Sequence, residues 1–334
     1  MEVIDFLSEG TYVVLPTKAT PKVLLTINNS KLAKQAFKLY NPFSFKAKFL
    51  KTVVQFLCLY SNSLAKLILP TIKVSKSNFI SFLENELKVS SLTSSIYIAT
   101  IKDKLVLQLQ TSNVIIGYVK YPLNNLGLKH LLNEKKAIEI LSQKKITEPF
   151  LLSQTYNDTP FLILKELKGK IKENYNINII LNAYKKPQSF LLKEHPRIKQ
   201  LCDTLITFNL QSYFNALEQI CKSSQELYYE VFEHGDFAPW NIIESENESI
   251  PFDFEYFEEN GLEHLDAIKY HFQIEYLLNG KTGKDLINSV STKIVLKEFV
   301  IVFKVFLIKE IINKKETEQS FELEESLFKT LNHG

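Results

Sequence analysis

The stretch from Phe232 to Phe257, F-E-H-G-D-F-A-P-W-N-I-I-E-S-E-N-E-S-I-P-F-D-F-E-Y-F, constrains this chain more than any other part of it. Asp236, Asn241 and Asp253 follow one another at intervals of five and twelve residues, separated by short apolar pieces that read as strand. Phosphoryl transfer uses a set of this kind: one carboxylate to orient a hydroxyl nucleophile, then an amide and a second carboxylate to hold Mg²⁺ against nucleotide phosphates. The neighbours read as support. Gly235 permits an unusual backbone angle, Pro239 fixes one, and Trp240 is large enough to bury the loop.

The run from His234 to Asn241 resembles the catalytic loop H-G-D-x-x-x-x-N of aminoglycoside phosphotransferases and related small-molecule kinases. Asp253-Phe254-Glu255-Tyr256 is similar to the metal-binding segment of choline and ethanolamine kinases. Asn260, Asp266 and His271-Phe272 echo the N…D…H-F tail of that group, with slightly longer spacing. The resemblance implies an α+β, protein-kinase-like two-lobed fold that uses ATP or another nucleoside triphosphate together with Mg²⁺. Asp236 would be the catalytic base, Asn241 and Asp253 the metal ligands. Read from the residues themselves, His234 either braces the loop through its ring nitrogens, the favoured reading, or acts as a general base; Asp266 would cap the helix beginning Ala267-Ile268, and His271 would brace that helix against the loop.

The same resemblance implies a nucleotide site. Lys120 would contact the α- and β-phosphates and pair with Glu134 on the next helix, Glu139 being the fallback partner. Tyr118, two residues before Lys120 and on the same strand face, would stack on adenine. Leu164-Lys165-Glu166-Leu167 would be the hinge that offers main-chain groups to the base.

Each residue also has a plainer reading. A loop aspartate is most often a turn residue or a cap, and a loop asparagine usually satisfies backbone donors. Lys120 at a strand end costs little if it faces water, and Tyr118 fits an ordinary cross-strand aromatic. Glu255 shares a face with Asp253 by alternation, yet reads equally as a solvated glutamate. It is the combination, not any one residue, that favours the chemical reading.

At 334 residues the chain suits two lobes plus an appendage. A net charge of +3 gives no ground for a nucleic-acid groove. Cys58, Cys202 and Cys221 are far apart and form no metal-ligand spacing, so reduced thiols in a cytoplasmic protein are expected. The opening M-E-V-I-D-F-L-S-E-G has acidic residues where a secretory leader has basic ones. Between Phe49 and Leu69, Lys51, Gln55, Asn62 and Lys66 interrupt an apolar run and argue against an integral membrane span. Two readings of that run stand: a buried helix through Val53, Val54, Phe56, Leu57 and Leu59, and a peripheral amphipathic contact with a membrane.

Three regions are expected: an accessory module over 1–90, a kinase-like N-lobe over 91–165, and a helical C-lobe over 166–334. Strands are expected at Thr11–Pro16, Lys22–Ile27, Ile96–Thr100, Leu105–Leu109, Val114–Lys120, Phe150–Gln154 and Phe161–Leu164. Turns are expected at Lys102-Asp103, Ser112-Asn113 and around Asn157. Helices are expected from Ser30 (as N-cap), over Leu128–Leu141 and Arg197–Cys221, and from about Asp266, Asp285, Val295 and Glu318.

The pattern departs from the family at one point. Ala99-Thr100-Ile101-Lys102-Asp103-Lys104 replaces a glycine-rich phosphate loop, leaving Lys102 or Lys104 to supply positive charge. Asn279-Gly280-Lys281-Thr282 mimics the end of a Walker motif, but Glu275 stands where its first glycine belongs, so Gly280 reads as a helix stop. The leading expectation is therefore a kinase acting on a hydroxyl of a small molecule: an amino alcohol, a sugar or a glycan precursor. The competing one is a weak or inactive kinase-like module that binds nucleotide and regulates. Glu258, Glu259 and Glu263, with Glu318, Glu322, Glu324 and Glu325, suggest an acidic cleft for a polycation; with Tyr256 and Trp240 they suggest a site for a quaternary ammonium.

Overall fold

The computed structural model describes residues 2–40, 45–99, 101–112, 114–246 and 248–332. Two expected features, the strand end at Thr100 and the turn residue Asn113, lie outside the described residues. The chain divides into two compact units. The first is Met1–Leu131 with Pro149–Glu166, and the second is Leu132–Glu148 with Leu167–Gly334.

The first unit is built on strand alternation. Its strands are β1 (Gly10–Pro16), β2 (Pro21–Thr26), β3 (Thr71–Val74), β4 (Thr93–Ile98), β5 (Lys104–Gln110), β6 (Ile115–Pro122), β7 (Leu152–Tyr156) and β8 (Thr159–Lys165). They form one antiparallel sheet in the order β3-β1-β2-β4-β5-β6-β8-β7. Helices α1 (Ser30–Ala36), α2 (Phe45–Tyr60) and α3 (Asn62–Ile68) follow β2, and α4 (Asn78–Leu87) precedes β4. Val13, Val23 and Leu25 pack with Ala33, Val54, Cys58 and Ala65. The alternate residues Tyr12, Val14 and Leu24 belong to a second cluster with Phe6, Phe79, Ile80 and Leu83. Both faces of the sheet are covered, which is why these strands read as unbroken apolar runs. Phe79 centres the second cluster, with ring centroids of Phe6, Tyr156 and Phe161 at 5.0, 4.9 and 5.5 Å.

No break falls near residue 90. Val23 and Leu24 of β2 pair with Tyr97 and Ile96 of β4, so the segment 1–90 and the strands after it share one sheet. The N-cap of α1 is Asn29, whose side chain accepts from the Leu32 amide, rather than Ser30. The apolar run from Phe49 is two helices, and among the described residues no helix is long and apolar enough to cross a membrane. Its expected burial holds for one stripe only: Val54 is buried at 3% exposure, whereas Val53 and Phe56 are exposed at 41% and 59%. Helical spacing aims Val54 and Cys58 at the sheet, leaves Leu57 and Leu59 partly buried against the same cluster, and turns Val53 and Phe56 outward.

In the second unit, α5 (Asn125–Gln143) contains the division between the units. Then come α6 (Asn178–Tyr184), β9 (Lys185–Leu191), α7 (Pro196–Thr207), α8 (Gln211–Ser223) and β10 (Leu227–Glu233). They are followed by β11 (Ile242–Ser245), β12 (Glu248–Pro251), β13 (Glu258–Leu262), α9 (Leu265–Gln273), α10 (Gly283–Ser291), α11 (Phe299–Glu316) and α12 (Glu322–Asn332). Strands β13, β10 and β9 form a small sheet, and β11 and β12 a hairpin. The helix expected over Arg197–Cys221 is broken into α7 and α8 at Asn209, whose φ is +56°. The last two helices begin later than expected: Val295 is fully exposed ahead of α11, and Glu318, at φ +55°, lies in the turn ahead of α12. A π-helical turn, Ile274–Leu278, continues α9, and Gly280 at φ +66° follows it as a stop. The α+β class expected from the sequence is the one observed, with a strand-rich first unit and a mainly helical second.

Candidate active site

Strand β10 runs directly into His234, and the loop from His234 to Asn241 is shaped by its own sequence. Gly235 has φ +81°, and a Cβ there would lie 2.1 Å from the Tyr256 carbonyl oxygen, so only glycine fits. Pro239 opens a short 3₁₀ turn that ends at Asn241. The β11–β12 hairpin then brings the chain back: Ile242 pairs with Pro251, and the Phe252 amide donates to the Asn241 carbonyl at 3.0 Å. The Phe252 carbonyl accepts from His234 Nε2 at 2.9 Å. Both backbone groups of Phe252, the residue before Asp253, are thus held by this loop. Asp253 adopts φ +68°, a conformation that aspartate tolerates better than most residues.

Asn241 is buried, and its amide nitrogen donates to the Asp236 carbonyl at 2.9 Å and to Asp236 Oδ2 at 3.2 Å. That use of the nitrogen leaves the amide oxygen as the atom suited to a hard cation. Glu134 on α5, Asp253 and Glu255 each offer a carboxylate oxygen, and these lie within 4.8 Å of one another. Asn133, beside Glu134, donates to the Glu255 carbonyl at 3.2 Å and ties α5 to this segment. Glu255 is 9% exposed, not a solvated glutamate. An all-oxygen set of this kind fits Mg²⁺ and is unlike the nitrogen and sulfur sets of zinc sites.

Beneath the loop lies a network of buried charge. Glu233 sits between Arg197, with Nε to Oε2 at 3.2 Å, and Lys309, at 3.0 Å. Lys309 also donates to the Gly235 carbonyl at 2.9 Å. Lys269 on α9 bridges Asp236 Oδ1 at 3.2 Å and Glu310 at 2.6 Å. Asp266 accepts from the amides of His234 at 2.7 Å and Gly235 at 3.0 Å. It therefore braces the loop instead of capping its own helix. Burial alone would raise the Glu233 and Glu310 carboxyls, but the adjacent cations outweigh it and hold both low. Asp266 is pushed up to about 7 by burial and by the Glu233 charge.

Sequence reasoning missed Arg197, Glu233, Lys269, Lys309 and Glu310. For Lys309 and Glu310 the signal was a pair of charges inside an otherwise apolar stretch of helix, F-L-I-K-E-I-I from Phe306 to Ile312. The acidic residues proposed for a cationic acceptor are largely neutralised. Glu258 pairs with Arg197 at 2.9 Å, Glu259 with Lys136 at 2.8 Å, Glu263 with Lys185 at 2.6 Å and Glu324 with Lys314 at 2.8 Å.

Tyr118, Lys120 and Glu166 belong to the first unit, while Leu167 and the residues above belong to the second. The β5–β6 and β6–β8 registers set Tyr118 opposite Gln108 and Leu164, and Lys120 opposite Val106 and Leu162, so both lie on one face as expected. Lys120 is 8% exposed and does not simply face water. Burial, with the Glu166 charge adding, pushes the Tyr118 hydroxyl up to about 12. Where a glycine-rich loop is absent, the β4–β5 turn is pinned: Asp103 is bonded to His130 Nδ1 at 2.9 Å, and its carbonyl accepts from the Leu123 amide at 2.7 Å.

No protein-family model and no curated protein matches the chain. Among solved structures it is similar to an ADP-bound aminoglycoside phosphotransferase, at 16% identity and TM-score 0.43 over 75% of this chain and 95% of that one. It is similar to an ethanolamine kinase of Plasmodium vivax, at 14% identity and TM-score 0.40 over 91% and 93% of the two chains. A type I macrolide 2'-phosphotransferase gives 10% identity and TM-score 0.46 over 78% and 98%. Likenesses of this size carry no argument about the reaction.

Two outcomes follow from the buried charges. Lys309→Met removes one partner from a buried carboxylate and a donor from the Gly235 carbonyl, and chemical denaturation is expected to show a loss of about 3–5 kcal/mol. Burial holds His195, His234, His264 and His271 below the ordinary 6.5, so their contribution is present above that value and lost as pH falls through their folded values. Asp266, raised from 3.8 to about 7, acts in the opposite direction over that interval. His234→Gln removes one of the imidazole contributions, so as pH goes from about 7 to about 5 its urea midpoint is expected to shift upward relative to that of wild type, as followed by urea titration at the two pH values.

Proposed function

We propose that this chain is a phosphotransferase that moves the γ-phosphoryl group of ATP, or another nucleoside triphosphate, to a hydroxyl of a small molecule. The observation that carries this reading is the Asp236–Asn241 hydrogen bond, supported by the β11–β12 hairpin, which returns Phe252, the residue before Asp253, to the Asn241 backbone. Asp236 is held at both oxygens, by Lys269 and by Asn241, yet its side chain stays 34% exposed. A carboxylate fixed in this way can accept the proton of an approaching hydroxyl and keep that oxygen aligned. The hydroxyl oxygen bonds to the γ-phosphorus, the bond from that phosphorus to the bridging oxygen breaks, the proton passes to Asp236, and the nucleoside diphosphate leaves.

Asn241 and Asp253 would hold Mg²⁺, with Glu255 and Glu134 adding carboxylate near it. The ion, when bound, neutralises phosphate charge. His234 and Asp266 position the loop, and Lys269 is a positioning residue for Asp236. Lys120, Tyr118, Glu166 and Leu167 keep the nucleotide-binding roles that the resemblance implies, as part of this proposal. We place the protein in the cytoplasm, since its three cysteines are unpaired and burial pushes the Cys58 thiol up to about 11.

Two observations favour the second reading, a nucleotide-binding regulatory module: the Lys269–Asp236 contact and the glycine-free β4–β5 turn both depart from a freely reactive site. Turnover of ATP with Mg²⁺ over pooled hydroxyl metabolites separates the two. Wild type is expected to transfer phosphate to at least one acceptor, and Asp236→Asn to lower that rate by about 10²–10⁴-fold. Asn241→Ala is expected to raise the Mg²⁺ concentration at half-maximal rate. Clean nucleotide binding without transfer to any acceptor would support the regulatory module instead.

A further inference from the structure

Two features of the first unit are not used by the proposed phosphotransfer site. From Gly10 to Leu83 the sequence holds eleven lysines and no arginine, aspartate or glutamate. The whole chain carries only +3, so taking +11 from it leaves −8 for the remainder. The lysines described in that segment are exposed except for the half-buried Lys51, and Lys48 and Lys66 lie on α2 and α3 themselves.

The same two helices turn bulky apolar groups outward. Phe49, Phe56 and Tyr60 of α2 are 65%, 59% and 74% exposed, and Leu67 and Ile68 of α3 are 83% and 60% exposed. The inner stripe of Val54, Cys58 and Ala65 is already committed to the sheet. Exposed side chains this large and this close in sequence mark an interaction surface. A cationic segment alone fits any polyanion, and an apolar patch alone fits any greasy partner. A nucleic-acid surface would stack bases on aromatics interleaved with arginine. Here arginine is absent, and the aliphatic Leu67 and Ile68 cannot stack. Aromatic and aliphatic side chains on a helix face flanked by lysine match the boundary between headgroups and acyl chains in a bilayer with anionic lipid.

We infer that α2 and α3 form a peripheral docking surface for an anionic lipid bilayer. The apolar residues enter the acyl boundary while the lysines remain at the phosphate level.

The test is co-sedimentation of the full chain with vesicles of phosphatidylcholine alone and of phosphatidylcholine mixed with phosphatidylserine. The protein is expected to pellet with the anionic vesicles, weakly with the neutral ones, and less as salt rises. Lys48→Gln and Lys66→Gln are each expected to weaken binding by about fivefold. Phe56→Ser with Leu67→Ser, both at exposed positions and so neutral to folding, are expected to weaken it by about tenfold or more. No pelleting with phosphatidylserine vesicles would overturn the inference. So would pelleting that neither pair of variants diminishes, and so would retention of duplex DNA without vesicle binding, which would make the segment a general polyanion site.

Discussion

Gly235 is gripped from both sides by buried charge, and the proposed active site depends on that grip. Its amide is held by Asp266 of α9, and its carbonyl by Lys309 of α11. Both bonds lie in a dry environment; the Lys309 bond is charge-assisted, and the Asp266 bond is charge-assisted in the ionised form of that carboxyl. Because Gly235 stands immediately before Asp236, the two bonds set the direction in which the carboxylate leaves the backbone. The close approach of Tyr256 to Gly235 adds a steric limit, so this part of the loop has little freedom.

The network extends beyond the loop. Arg197, Lys269 and Lys309 face Glu233, Glu310 and Asp236, Arg197 also meets the partly exposed Glu258, and Asp266 is the carboxyl pushed toward neutrality. Buried ions are tolerated when each has a partner, and a surplus carboxyl responds by binding a proton. Lys269 has a double use here. It neutralises Asp236 on one side and Glu310 on the other, linking the proposed base to a helix that is otherwise apolar core.

What the sequence revealed and what it hid divide along contact range. The bonds joining Asp236, Asn241 and the residue before Asp253 form inside one short segment, so the spacing of the motif carried their geometry. The strands were legible for the same reason, since alternation and flanking turn residues are local properties. Arg197 meets Glu233 across 36 residues and Lys309 meets Gly235 across 74, distances over which a pattern of residue types says nothing about partners. The α7–α8 break at Asn209 was missed because apolar spacing continues through it. The outward face of α2 left two readings open because a run of apolar residues does not show which stripe the sheet will reach. Asp266 was read as a cap from its place at a helix start, whereas its carboxylate reaches across to another segment.

The central claim is that Asp236, Asn241 and Asp253 form one divalent-metal and hydroxyl site. Its most direct test is anomalous diffraction from crystals grown with ADP and Mn²⁺ in place of Mg²⁺. The account predicts a manganese peak shared by the Asn241 amide oxygen and the Asp253 carboxylate, with the Asp236 carboxylate facing the same space. Manganese bound elsewhere, or nucleotide bound with no metal at these two residues, would contradict it.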